Sequence, residues 1–140
     1  MRLVIDASAA LPWFFADEKS DESDRILAQV YKDGAVVPVL WPIEVGNALT
    51  MGLRRKRLSE ADWLSSLATL AGLPVSVEPL DHLKALADIP ALTQKYNLTF
   101  YEALYLELAS RLALPLASFD TDLLNAARAA NVQLWKGDSR

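Results

Sequence analysis

Four carboxylates, Asp6, Glu44, Glu102 and Asp120, each stand where a short apolar run gives way to the start of a helix. In a parallel α/β sheet the strand ends share one edge, and the helix starts beside that edge bring together residues far apart in sequence. Carboxylates gathered there repel one another unless a hard cation such as Mg²⁺ or Mn²⁺ neutralises them. The chemistry suggested is that of a divalent-metal site.

Each acid also has a structural reading. Thr99-x-x-Glu102 matches a capping box, in which Thr99 caps a backbone N–H and Glu102 reaches back to the N–H of the cap residue. Asp120 has the position of a simple N-cap, and Glu44 that of an acid favoured by the positive end of its helix dipole. Asp6 is harder to explain this way. It follows a buried strand directly and begins Asp6-Ala7-Ser8-Ala9-Ala10-Leu11, whose small residues let backbone and ligand approach closely. Other constellations are poorer. The single histidine, His82, falls in a helix's first turn and reads as an exposed helix residue, which argues against a Ser-His-Asp triad. No Gly-rich phosphate loop follows a strand, which argues against a dinucleotide or P-loop protein.

The elements that must position these acids alternate along the chain. Leu3-Val4-Ile5 reads as a short buried strand closed by Asp6, with a helical stretch through Phe15. Ile26, Leu27, Val30 and Tyr31 recur at helical spacing and stop at Asp33-Gly34. Ala35-Val36-Val37 is the second strand. Pro42 suits the first turn of a helix from Ile43 to about Lys56, with Glu44 in its opening turn. Ser59 caps a fourth helix, and Val75-Ser76-Val77 is the third strand. A fifth helix begins after Pro79 and ends near Asn97, and Thr99 to Glu102 opens a sixth, largely apolar helix. Leu114 to Ser118 supplies a fourth strand, Asp120 starts the last helix through Ala130, and Val132-Gln133-Leu134-Trp135 a fifth strand. This order predicts a three-layer α/β/α fold with a central, mostly parallel five-stranded sheet of Rossmann-like topology.

With 140 residues, the chain is expected to form one domain, residues 1–140, around one core. It has no cysteine, so a disulfide framework, zinc-thiolate site or thiol nucleophile is excluded, in keeping with a cytoplasmic setting. The run before Asp6 is too brief for a signal peptide, and no later stretch reaches membrane-spanning length. The net charge of −4 does not advertise nucleic-acid binding through the overall field. Locally, Arg54, Arg55, Lys56 and Arg57 form a basic run that suits a solvated helix end, while Arg2, Lys95, Arg111 and Arg128 are dispersed. Trp13, Phe14, Phe15, Trp41 and Trp63 read as core or interface residues.

Four segments in order, Val4-Ile5-Asp6-Ala7-Ser8-Ala9, Glu44-Val45-Gly46-Asn47-Ala48-Leu49, Leu98-Thr99-Phe100-Tyr101-Glu102-Ala103 and Ser118-Phe119-Asp120, resemble the motifs of PIN-domain ribonucleases, and the chain looks like a VapC-type toxin. The similarity runs from Leu3 to Trp135. It implies that Asp6 is the central metal ligand and that Glu44, Glu102 and Asp120 fill the remaining acidic places. Ser8 and Ser118 match hydroxyl positions, though a strand-end hydrogen bond accounts for Ser118 equally well, and Asn47, three residues after Glu44, matches a polar one, with a surface or helix-contact asparagine as the alternative. Asp122 reads as a second acid of the last helix's first turn, with contact to the site through water as the alternative. A haloacid-dehalogenase-like phosphatase also begins with a strand-end Asp, but Ser8 stands where its second Asp belongs.

The third acid departs from the family pattern, which has Asp where this chain has Glu102. The added methylene moves the carboxylate by about 1.5 Å, large beside the octahedral geometry of Mg²⁺. Glu102 is expected to ligate directly or through water, with service in the capping box alone as the alternative. The resemblance implies a Mg²⁺- or Mn²⁺-dependent endoribonuclease using metal-activated water, leaving a 3′-hydroxyl and a 5′-phosphate. Its expected substrate is structured RNA such as tRNA or rRNA. Its expected partners are a VapB-type antitoxin, which carries the DNA binding of such pairs, and a second copy in a homodimer. A noncatalytic PIN-like binding module is the alternative in a different class, and Glu102 keeps it open.

Overall fold

Leu3, Val4 and Ile5 form the central strand β1 (Leu3–Ile5), and all three are wholly excluded from solvent. The structure, a computed structural model, describes residues 1–137. Strand β1 pairs in parallel with β2 (Ala35–Pro38), Leu3 opposite Ala35, and on its other side with β4 (Leu116–Ala117), Val4 opposite Leu116. Strand β3 (Val75–Glu78) extends the β2 side, giving the parallel order β3-β2-β1-β4. Continuous burial of β1 and β2 follows from helices covering the sheet, the setting in which parallel strands read as unbroken apolar runs.

The sheet has four strands, not the expected five. Val132–Trp135 meets β4 through one parallel bridge, Leu116 to Leu134, with Leu116 N–H donating to Gln133 O and Trp135 N–H to Leu116 O, both at 2.9 Å. The ladder ends here because β4 is itself cut short. Just beyond Ala117, the Phe119 and Asp120 N–H groups donate to the hydroxyls of Ser8 and Ser118.

The helices begin and end where backbone chemistry dictates. Helix α1 (Ala7–Ala10) passes into a 3₁₀ turn, Leu11–Trp13, containing Pro12, so the helix expected through Phe15 is shorter. Ser20 caps α2 (Asp21–Asp33), which ends at Gly34 with φ 87°. Helix α3 (Leu40–Arg54) starts before Ile43, with Pro42 in the first turn, where a missing N–H costs no intrahelical bond. Glu44 is therefore in the second turn, where a simple dipole explanation is weaker. Ser59 caps α4 (Glu60–Gly72), and Asp81 caps α5 (His82–Tyr96), which stops at left-handed Asn97. Helices α6 (Phe100–Leu112) and α7 (Thr121–Ala129) carry the last two acids.

Because β2 and β4 flank β1 on opposite sides, the order reverses between β1 and β4. In parallel α/β sheets the crevice outside the strands' carboxyl ends at such a point receives ligands. Asp6 and Ser118 follow those two strand ends directly.

Candidate metal centre

Asp6 is 5% exposed, and both of its carboxylate oxygens accept hydrogen bonds. Oδ1 accepts from Ser8 Oγ at 2.7 Å and from Ala9 N at 3.0 Å, making Asp6 the N-cap of α1, while Oδ2 accepts from Ser118 Oγ at 2.6 Å. Its backbone carbonyl accepts from Trp41 Nε1 at 3.1 Å, which ties α3 to the end of β1 and gives that buried tryptophan a structural role. Burial pushes the Asp6 carboxyl up to about 6. The Ser118, Ser8 and Ala9 bonds pull the other way, and the Asp120 charge adds to the rise.

The two serines build the junction between β1 and β4. Ser8 Oγ accepts from Phe119 N at 2.8 Å while donating to Asp6, and Ser118 Oγ accepts from Asp120 N at 2.9 Å while donating to Asp6. Each hydroxyl thus uses both halves of its bonding capacity to fix one site acid against the neighbouring loop. Asp120 caps α7, its Oδ1 accepting from Leu123 N at 3.0 Å.

Glu44 comes from α3 and accepts from the Tyr105 hydroxyl of α6 at 2.5 Å. Glu102 completes the capping box foreseen from the sequence: its Oε1 accepts from Thr99 N at 2.9 Å, and its N–H donates to Thr99 Oγ1 at 3.1 Å. The cap does not remove it from the acids. Single carboxylate oxygens of Glu102, Asp120 and Asp122 lie within 4.8 Å of one another. Asp6, Glu44, Glu102 and Asp120 all line one cleft of about 160 Å³, together with Ser8, Tyr101 and Tyr105, and among the described residues no Lys or Arg lines it.

Asn47 is exposed on α3 and does not line this cleft. Asp122 is exposed, immediately before buried Leu123 in α7; it does not line the cleft, and its carboxylate joins the Glu102–Asp120 group. His82 is an exposed opening residue of α5 and does not line the cleft. The basic run ends α3, and its Arg57 pairs with Asp17 and Glu18 while lying 4.2 Å over the Phe15 ring. Tyr105 escaped the reading of the sequence because it sits among Ala103, Leu104, Leu106 and Leu108, all buried. Its one sequence signal is the three-residue spacing from Glu102, which places both on one helical face.

Carboxylate oxygens are hard donors, which suit Mg²⁺ or Mn²⁺ rather than a soft metal. Residues 3–129 match the family model of the PIN domain. The chain belongs to that family. This PIN domain is 29% identical over 123 residues to Ribonuclease VapC3 of Pyrobaculum aerophilum, an alignment covering 88% of this chain and 92% of that protein. It also shares its fold with the crystal structure of PAE2754 from Pyrobaculum aerophilum, at a TM-score of 0.66 and 24% identity over 90% of this chain and 79% of the other.

Proposed function

We propose that this PIN domain is a metal-dependent endoribonuclease of the VapC type, restrained by a VapB-type antitoxin and acting in the cytoplasm as a homodimer. One observation carries the reading: four acids from four separate segments line a single cleft with no Lys or Arg among its described lining residues. The 29% identity to a VapC ribonuclease along most of both chains supports it. Asp6, Glu44, Glu102 and Asp120 would hold Mg²⁺ or Mn²⁺. When bound, such an ion makes water more acidic and draws charge from phosphoryl oxygens.

The chain's own residues prepare the site for a phosphodiester. Ser8 and Ser118 hold the Asp6 carboxylate from both sides; because Oδ1 also accepts from Ala9 N–H, the acceptor capacity left over for an ion is on Oδ2, which accepts from Ser118 alone. Tyr105 restricts Glu44, and Leu123 N–H restricts Asp120. Preorganised ligands of this kind avoid the reorganisation that freely rotating carboxylates would need during the reaction. The proposed substrate is structured RNA, tRNA or rRNA, cut to leave a 5′-phosphate and a 3′-hydroxyl.

The Glu102–Thr99 capping bond favours one competing reading, a PIN-like module that binds without cutting. Incubating the protein with tRNA and rRNA, in Mg²⁺, in Mn²⁺ and in chelator, separates the two. Cleavage in either ion, lost in chelator, with phosphorylated 5′ ends is the expected result. Intact RNA under every condition would support the binding module instead.

A further inference from the structure

Helix α6 is buried along most of its length, at Ala103, Leu104, Tyr105, Leu106, Leu108 and Ala109, yet Tyr101 in its first turn is 62% exposed. The exposed ring nonetheless lines the acidic cleft. Tyr101 and Tyr105 are four residues apart, so they occupy the same helical face one turn from each other. Their environments differ sharply. Tyr105 is 3% exposed with its hydroxyl on Glu44, whereas Tyr101 presents its ring to solvent beside Glu102.

From this pairing we infer that Tyr101 is a stacking platform for an unpaired RNA base flanking the phosphate that enters the cleft. The inference rests on the ribonuclease reading and adds how the substrate is gripped. Even with a divalent ion at its acids, the cleft has no Lys or Arg among its described lining residues to hold the flanking polyanionic backbone, so that part of the strand needs another source of affinity. An exposed aromatic face supplies it without regard to charge, since every base has a π-face and unpaired bases can be splayed onto tyrosine. Position argues the same way: Tyr101 directly precedes a cleft acid on a capped helix end, so a base stacked on it keeps its own phosphate next to the carboxylates. Stacking of this kind selects single-stranded loops and tolerates any base.

The test is binding of a short, labelled single-stranded oligoribonucleotide to Asp6→Asn protein, followed by anisotropy, with Tyr101→Ala, Tyr101→Phe and Tyr101→Trp each added. The Ala change should weaken binding about 5- to 100-fold. Phe should hold affinity within about twofold and Trp should at least match it, because stacking needs the ring and not the hydroxyl. Binding of a fully paired RNA duplex should not respond to the Ala change. The platform is overturned if the Asp6→Asn parent fails to bind the single strand, if Ala leaves its binding unchanged, so that the ring serves a protein partner, if Phe loses as much as Ala, or if duplex and single strand weaken alike. Cleavage measured alongside separates this from the nuclease reading. Cleavage with Tyr101-independent binding sinks the platform alone, and Tyr101-dependent binding without cleavage by the native chain keeps the platform and sinks the nuclease.

Discussion

The Tyr105 hydroxyl donates to Glu44 Oε1 at 2.5 Å, joining α6 to α3 within the cleft. Burial, then the hydrogen bond to Glu44 and its charge, push the tyrosine's ionisation far above its ordinary range, so it stays a neutral donor throughout working pH. An ionised acceptor makes this a charge-assisted bond, stronger than one between neutral groups. Partners that orient metal ligands typically contribute about 10- to 100-fold in metal affinity. Tyr105→Phe should therefore weaken Mn²⁺ binding by about that factor in calorimetric titration, while the far-ultraviolet circular dichroism stays native. Unchanged affinity would show that Glu44 needs no orienting partner.

Asp6 links the site to stability. Its folded carboxyl sits at about 6 against an ordinary 3.8, so between those values the folded chain binds the extra proton. Stability conferred by this group is fully present below about pH 4 and is lost as pH rises through about 6. A rise from 3.8 to about 6 amounts to about 3 kcal/mol at neutral pH. Without metal, Asp6→Asn should thus be more stable than the native chain by about 1–3 kcal/mol at pH 7.5, with the gain vanishing near pH 4. Urea unfolding at the two pH values checks this, and a gain that grows on acidification would contradict it.

Divalent ions should reverse that order. A ligand that binds only the folded state stabilises it in proportion to the logarithm of its concentration. Millimolar Mn²⁺ is expected to raise the melting temperature of the native protein and to leave Asp6→Asn almost unmoved, as read by calorimetry.

Glu102 has two candidate duties, and they respond to different substitutions. Glu102→Gln keeps an oxygen for the Thr99 N–H, because the capping box accepts Gln, but removes the charge. It should unfold within about 0.5 kcal/mol of the native chain while losing at least about tenfold in Mn²⁺ affinity. Glu102→Ala should lose both, with about 1 kcal/mol of stability. Native affinity in the Gln variant would reduce Glu102 to a helix cap.

Ser118→Ala removes the donor to Asp6 Oδ2 and the acceptor for Asp120 N. Two buried polar groups are left short of partners, at a cost of about 1–3 kcal/mol. Because the Ser118 bond holds the Asp6 carboxyl down, the same change should move its titration upward from about 6 in a carbon-13 spectrum. A downward move would contradict the assigned bond.

Much of this architecture was legible because local chemistry and global fold agree. Apolar runs at Leu3–Ile5 and Ala35–Val37 mark buried parallel strands, and Ser59, Thr99 and Asp120 cap helices where their side chains announce it. What stayed hidden depends on partners distant in sequence. The length of the last strand was unreadable because β4 ends where Phe119 and Asp120 turn their N–H groups to serine hydroxyls. Spacing put Asn47 near the face of Glu44, but its side is solvent. Tyr105 looked like core because it is core; only its partner Glu44, 61 residues away, discloses the further role.

Crystals soaked in Mn²⁺ and measured at an anomalous wavelength test the central claim most directly. A manganese peak is expected in the cleft, within coordination distance of Asp6 and at least two of Glu44, Glu102 and Asp120. A clean map there, with manganese bound elsewhere or not at all, would contradict it.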